Sequence, residues 1–449
     1  MNDLRTPLSL AIVGAGPVGL ALALHAAQAL PDATVTLFDA RAHDKDVSGD
    51  PRTLALSLGS VQWLQRLGAW RADLAQPILE VHVSQQPPSA GALLSAWLGE
   101  PEVRIRAADE GVAMLGAVLS YGHIVAPLQQ AWEAAAQREP QRLRSRFGTP
   151  VAALKNLDGP SGGVEVDAGI AERFDLAVVA EGGVFAGPTR TTTAPPPRAA
   201  VRHDYQQTAW VGQVTFEAGS APPSAASHAP HAPRAPHAAS AAGVSRPTLA
   251  SRAPGVAFER FTRHGPAALL PLKDGSAALV WCVSTLDDPV RDLDDTQRVA
   301  VLNSIFHAAV GRIATVSPLK QFALGLNAER TLTDGRTVRI GNAAQTLHPV
   351  AGQGLNLGLR DGYELVHALG RSANANANGF ADVSSVLRRL EWQRAPDRWA
   401  MIAATDFLAR SFTWKLPGAG TARGLGLAAL QSLGPVKSAL ARQMMYGSR

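Results

Sequence analysis

"AIVGAGPVGLALAL", residues 11–24, is the stretch whose reading decides the fold. With its flanks it forms an uncharged run from Thr6 to Pro31, long enough for a membrane span or an export signal. It also sets Gly14, Gly16 and Gly19 in the G-x-G-x-x-G spacing that cradles a dinucleotide. An export signal needs a basic leader, and "MNDLRTP" balances Arg5 with Asp3. Three glycines and Pro17 break the apolar core, which a membrane helix tolerates only with support from its neighbours.

A strand–turn–helix reading uses every one of these residues. "LSLAIVG" is a short buried strand, "GAGPVG" a tight turn, and "LALALHAAQAL" an Ala/Leu helix ended by Pro31 and Asp32. A second strand, "ATVTLFDA", closes with Asp39, 20 residues after Gly19. That is where a dinucleotide fold places the acid for the adenosine ribose hydroxyls. Gly14 allows the turn, Gly16 lets the backbone approach the pyrophosphate, and Gly19 lets helix and strand pack. The pyrophosphate then rests on free N–H groups at a helix N-terminus.

Bulk properties agree with a folded chain. The 449 residues predict two or three domains of roughly 100–200 residues each. Hydrophobic residues make up 46% and charged residues 18%, a globular balance. The single cysteine, Cys282, excludes an internal disulfide. It lies in the apolar run "ALVWCVS" and reads as a buried strand thiol, not a nucleophile. The net charge of +5 is uneven. Arg234, Arg246 and Arg252 lie in the acid-free stretch 219–255, and six more cations lie in acid-free 407–449. The rest of the chain is therefore net acidic. No zinc-ligand spacing or basic–aromatic interleaving accompanies the basic segments, so nucleic acid is not expected as a partner.

A second motif lies far downstream. Residues 338–365 read "VRIGNAAQTLHPVAGQGLNLGLRDGYEL". A strand, "TVRIGNAA", runs into a Gly/Pro loop, and a helix follows from about Leu355. The loop again delivers backbone N–H groups at a helix start, with no second ribose acid. This suits a second grip on the far end of one long ligand.

These segments together resemble the flavin-dependent aromatic hydroxylases, and within them the ubiquinone-biosynthesis hydroxylases. The resemblance covers most of the chain. It runs through "VGAGPVGLALAL", "DPRTLALSLGSVQWLQRLGAW" (50–70), "LAVVAEGG" (176–183), "FERFTRHGPAALLPL" (258–272) and "IGNAAQTLHPVAGQGLNLGLRD". Asn342 in the last of these is the form typical of the ubiquinone branch, where the wider family usually has Asp. The resemblance implies an α/β fold: a Rossmann-like FAD-binding domain, an inserted β-sheet substrate domain and a C-terminal helical region. It implies FAD as cofactor, with contacts at Gly14, Gly16, Gly19, Asp39, Arg52, Tyr121 and Glu181. Further contacts are expected at Gly341, Asn342, Pro349, Gly352, Gly354, Leu355 and Asn356. Glu181 stands where the family usually has Asp, which moves the carboxylate by one methylene.

The implied chemistry is hydroxylation of an aromatic ring. NADH or NADPH reduces the flavin, and O2 then gives a C4a-hydroperoxide that transfers one oxygen to an electron-rich ring. The cofactor carries the hard chemistry, so the protein needs a dry cavity and backbone dipoles, not a triad. His348 and Pro349 are the catalytic candidates. His348 is read either as an acid/base or as a side chain that orders its loop. Arg360 and Asp361 read as a helix-surface or interdomain ion pair.

The flavin domain is expected over 1–80, 108–190 and 325–400, and the substrate sheet over 81–107 and 200–324. Strand-like runs in the sheet are "LEVHVSQ", "QTAWVGQVTFE", "VAFERFT" and "SAALVWCVS". The Ala/Pro/Ser-rich insert 219–255 is expected to stay disordered, and its His228, His231 and His237 are not taken as metal ligands. "SANANANG" (372–379) reads as a second flexible loop. Residues 401–449 read as helices that either pack on the flavin domain or present a basic amphipathic face to a membrane. Phe407, Phe412 and Trp414 line an entry path or belong to the core.

The expected substrate is a polyprenylated phenol or quinone precursor, with other quinone-biosynthesis proteins as candidate partners. The expected location is the cytoplasm or the inner-membrane surface. The alternatives are a hydroxylase of a small soluble aromatic and a flavin-holding scaffold without turnover.

Overall fold

The computed structural model describes residues 7–86, 100–157, 162–182, 200–217, 255–375, 383–411, 414 and 418–447. Its α-helices, among these residues, are α1 (Pro17–Ala29), α2 (Leu58–Arg66), α3 (Tyr121–Arg138), α4 (Asp295–Ile305), α5 (Gln353–Ala375), α6 (Val383–Ser411), α7 (Ala419–Ser432) and α8 (Gly434–Tyr446).

The opening run is a strand, a turn and a helix. Ser9–Val13 is a central strand with parallel neighbours on both sides: Ile12 pairs with Leu37 on one and with Val178 on the other. Central parallel strands are buried on both faces, which is why this one is almost wholly apolar. The sheet order is Thr333–Asp334, Thr337–Arg339, Leu176–Val179, Ser9–Val13, Thr34–Asp39, Leu143–Phe147. Only the Thr333–Asp334 edge pairs antiparallel. α1 packs against α3 and α5 beside this sheet. It starts at Pro17, three residues ahead of the expected "LALALHAAQAL", because proline suits the first helical position, where no N–H partner is needed. Among the described residues no helix is long and apolar enough to cross a membrane.

A larger mixed sheet stands beside it. Its central strand, Val201–Phe216, pairs with Ala277–Ser284 and Lys320–Ala328. Gly265–Pro271, Val256–Thr262, Glu80–Gln85 and Glu102–Arg106 continue it outward. The four strand-like runs read from the sequence all fall in this sheet. "QTAWVGQVTFE" is the second half of a longer strand, whose register shifts between Asp204 and Gln207. Cys282 is 1% exposed in it, and burial pushes its thiol up. Three-stranded sheets, such as Thr53–Ser57 with Gly116–Ser120 and Gln76–Ile78, fill the space between.

Several expectations need correction. The predicted strand "TVRIGNAA" is strand only over Thr337–Arg339; Gly341, with a positive φ of 59°, leaves the extended backbone, and a short 3-10 turn spans Gly341–Ala343. "SANANANG" does not start as a loop: α5 continues through Ala375. The remainder of that stretch, Phe412, the last residue of "LAVVAEGG" and nearly all of the 219–255 insert lie outside the described residues. Phe407 and Trp414 are exposed, at 58% and 46%, and meet edge to face. They are neither core nor cavity wall.

Arg360 and Asp361 are also not on a helix surface. Both are buried, and each pairs across the α5–α6 contact rather than with the other. Arg360 reaches Asp397 at 2.8 Å, and Asp361 receives Arg394 at 2.8 Å. Arg394 also holds Asp397 at 2.7 Å. Burial pushes the Asp397 carboxyl up, but Arg360 and Arg394 outweigh it and hold it below the usual carboxylate range. Gln443 of α8 donates to the same carboxylate, which ties the C-terminal helix to the pair. Removing one partner of a buried ion pair strands the others without solvent. Asp397→Ala should therefore destabilise the fold by about 3–5 kcal/mol, read as a lower denaturant midpoint. A midpoint equal to the parent's would contradict this reading of the cluster.

Candidate active site

The glycine turn closes tightly on itself. Gly14 has φ +105°, and a Cβ there would stand 2.8 Å from the Glu181 backbone nitrogen. A Cβ on Gly19 would collide with the Gly14 carbonyl oxygen. Asp39 stabilises the turn: its carboxylate accepts from the Ala15 N–H at 2.5 Å and from the Arg41 N–H at 2.7 Å. The N-terminus of α1 then points into a cavity of about 1780 Å³. Pockets for drug-sized ligands run to roughly 300–1,000 Å³. This one has room for a long dinucleotide and a second molecule.

Gly14, Gly16, Asp39, Arg52, Tyr121 and Glu181 all line that cavity. Tyr121 opens α3, with its ring under the Arg52 guanidinium at 4.1 Å. Arg52 is fixed by Asp50 at 2.8 Å, and this hydrogen bond raises its pKa. Burial and the nearby Asp39 push the Glu181 carboxyl up. The second motif supplies the facing wall with Asn342, Pro349, Gly352, Gly354, Leu355 and Asn356. Gly352 ends the 3-10 turn before α5, its N–H bonded to the Pro349 carbonyl, and Gly354 lies in the first turn of α5, whose N–H groups have no intrahelical partner.

Two carried-over glycines have packing roles. Gly19 and Gly341 are absent from the cavity wall. Gly341 sits against Gly358 and Val18, where α5 and α1 approach each other. Asn356 lines the cavity, but its amide is spent internally. Its Oδ1 accepts from the Ser57 N–H and the Ser60 hydroxyl, and its Nδ2 donates to the Ala55 and Gly352 carbonyls. It clamps the loop to α2. Asn342 donates to the Gly182 carbonyl at 3.0 Å and so joins the second motif to the 176–183 segment.

His348 has the loop-ordering geometry. Its Nδ1 accepts from the Val350 N–H at 3.2 Å, which leaves Nε2–H to donate to Gln207 Oε1 at 3.0 Å. Burial lowers its pKa to about 4. A neutral ring with both nitrogens engaged holds the Pro349 turn.

Sequence reading missed Gln207, and also Arg202, His203, Asp204, Glu259 and Asn327 on the cavity wall. Strand alternation was the available signal: in "VAFERFT", residues 257, 259 and 261 share a face. The far end of the cavity is apolar. Val81, Val83, Val103 and Ile105 form one wall, and Leu427, Leu430, Met444 and Met445 of α7 and α8 form the other.

Comparison with known proteins agrees with this geometry. Residues 203–404 match the FAD binding domain family. The chain is 28% identical to the 3-demethoxyubiquinol 3-hydroxylase of Escherichia coli over 96% of both chains. It is 34% identical to the ubiquinone hydroxylase UbiL of Rhodospirillum rubrum over 192 residues, 42% of this chain and 44% of that relative. Among solved structures, Pseudomonas aeruginosa PqsL in complex with 2-aminobenzoylacetate is similar at a TM-score of 0.66, with 16% identity over 94% of this chain and all of that one. Klebsiella pneumoniae HpxO, complexed with FAD and uric acid, is similar at 0.63, with 14% identity over 99% of each.

Two outcomes follow from the site. Gly19→Ala should yield protein that purifies with little or no FAD, read from the flavin-to-protein absorbance ratio; full retention would refute the close packing. His348 has a folded pKa below its unfolded value of 6.5, so its stabilising contribution is complete above pH 6.5 and is lost as pH falls toward about 4. His348→Gln should flatten the stability profile in that window. An unchanged acid limb would exclude His348 as its source.

Proposed function

We propose that the chain is an FAD-dependent aromatic monooxygenase that hydroxylates the ring of a polyprenylated ubiquinone precursor. NADH or NADPH and O2 are the co-substrates. The observation that carries this reading is the cavity's two-part character. One part of its wall has the glycine turn and Asp39, and another is lined by Val81, Val83, Val103, Ile105, Leu427 and Leu430, an apolar surface suited to a prenyl chain. Similarity to a 3-demethoxyubiquinol hydroxylase along nearly the whole chain supports it.

FAD, when bound, would supply the redox chemistry for hydroxylation, with the nicotinamide as reductant and O2 as oxygen source. The protein's part is to bind, orient and exclude water. Backbone N–H groups at the start of α1 hold the diphosphate, and Asp39 accepts the ribose hydroxyls. Arg52 and Tyr121 wall the flavin on one side. The first turn of α5, at Gln353–Leu355, would offer its free N–H groups to a bound flavin. The apolar lobe takes the prenyl chain and keeps the ring-bearing end dry.

We place α7 and α8 against an anionic membrane. Leu425 of α7, Leu433 between the two helices, and Val436 and Leu440 of α8 are exposed, and Lys437 lies among them. Cationic residues with an apolar face suit a headgroup layer.

Two experiments test this. Mass spectrometry of the quinone pool in cells lacking the protein should show a prenylated phenol one oxygen short of the next intermediate. An unchanged pool, with NAD(P)H oxidation stimulated by a small soluble aromatic, would replace the prenylated substrate with the small one. In flotation assays the protein should rise with vesicles containing anionic lipid, and Leu433→Asp/Val436→Asp should stay in the dense fraction. Equal behaviour of the two proteins would remove the membrane assignment.

A further inference from the structure

The outer face of the large sheet holds a cluster that the proposed reaction does not use. Along Glu80–Gln85 and Glu102–Arg106, Val81, Val83, Val103 and Ile105 point into the cavity. Strand alternation therefore turns His82, Ser84, Glu102 and Arg104 to the opposite side. α4 contributes to the packing on that side, and the turn after it brings His307 over His82, with ring centroids 4.9 Å apart.

His82 Nε2 lies 2.7 Å from Glu102 Oε2. One ligand atom each from His82, Glu102 and His307 falls within 4.8 Å of the other two. Ligands bound tetrahedrally at about 2.0–2.2 Å from a zinc ion stand roughly 3.3–3.5 Å apart. The 2.7 Å His82–Glu102 contact would open to that spacing on binding, and all three ligand atoms already lie within 4.8 Å of one another. Arg104 occupies Glu102 Oε1 at 2.8 Å and thereby fixes the carboxylate with Oε2 toward the histidines. Such support of a ligating carboxylate is the usual arrangement around a bound metal. Burial keeps both imidazoles below their ordinary pKa, in the neutral form that offers a lone pair.

We propose that His82, Glu102 and His307 form a divalent transition-metal site of zinc type, with water completing the coordination. Two imidazoles and a carboxylate are the donor set this ion prefers. On binding, the His82 ring proton moves to Nδ1 and frees Nε2 for the metal; no electron is transferred. The ion would fasten the end of α4 to the back of the strands that wall the apolar lobe. Its effect on turnover is indirect, and the proposal does not depend on which aromatic the enzyme hydroxylates.

The test is calorimetric titration of chelator-treated, FAD-loaded full-length protein with ZnCl2. One equivalent should bind, and the thermal midpoint should rise. His307→Ala should weaken that site by more than ~10-fold, the minimum expected when a ligand is lost rather than a supporting group. A combined His228→Ala/His231→Ala/His237→Ala variant should leave it intact. If His307→Ala fails to fold, Glu102→Gln, judged by its flavin content and circular dichroism, replaces it. X-ray absorption of the zinc-loaded protein should show only nitrogen and oxygen neighbours. Absence of a bound equivalent overturns the site. So does zinc binding that survives His307→Ala but vanishes in the triple histidine variant.

Discussion

The structure depends on a contact that permits no side chain: the first turn of α1 lies directly against the Gly14 carbonyl. That approach needs glycine at position 19 and a positive φ at position 14. Asp39 completes it by accepting from the Ala15 N–H, so the end of the second strand fixes the turn that follows the first. One carboxylate thus serves folding and faces the cavity. Once the turn is set, α1 can aim its unpaired N–H groups at a phosphate, and the remaining elements arrange the far end of the same ligand.

That far end is built by side chains that bond to one another. Asn356 spends its whole amide on Ser57, Ser60, Ala55 and Gly352. His348 spends both nitrogens on Val350 and Gln207. The effect is a rigid turn whose backbone, rather than its side chains, faces the cavity. This suits a flavoenzyme, in which oriented dipoles and dryness matter more than a titrating group.

How much could be read beforehand follows from the range of each interaction. The glycine spacing, Pro17 and Asp39 act within one strand–turn–helix unit, so the sequence displayed them. The strands of the large sheet were visible through their β-branched and aromatic alternation. Partners distant in sequence were not visible. Nothing local told that Arg360 and Asp361 would each reach a different residue of α6, or that Gln207 would meet His348 from 141 positions away. Gly341 was assigned to the ligand because of its motif. Its actual neighbours are Val18 and Gly358, which only the packing of α5 on α1 brings together. The His82–Glu102–His307 cluster was hidden for the same reason: three elements must meet before it exists.

On the function proposed above, this cavity brings a flavin to a prenylated ring for the insertion of one atom of dioxygen. The most direct measurement is turnover of the FAD-loaded protein under 18O2 with NAD(P)H and a prenylated phenol. One 18O is expected in each product molecule, with one nicotinamide oxidised for each hydroxylation. Nicotinamide oxidation that yields hydrogen peroxide and no labelled product would contradict it.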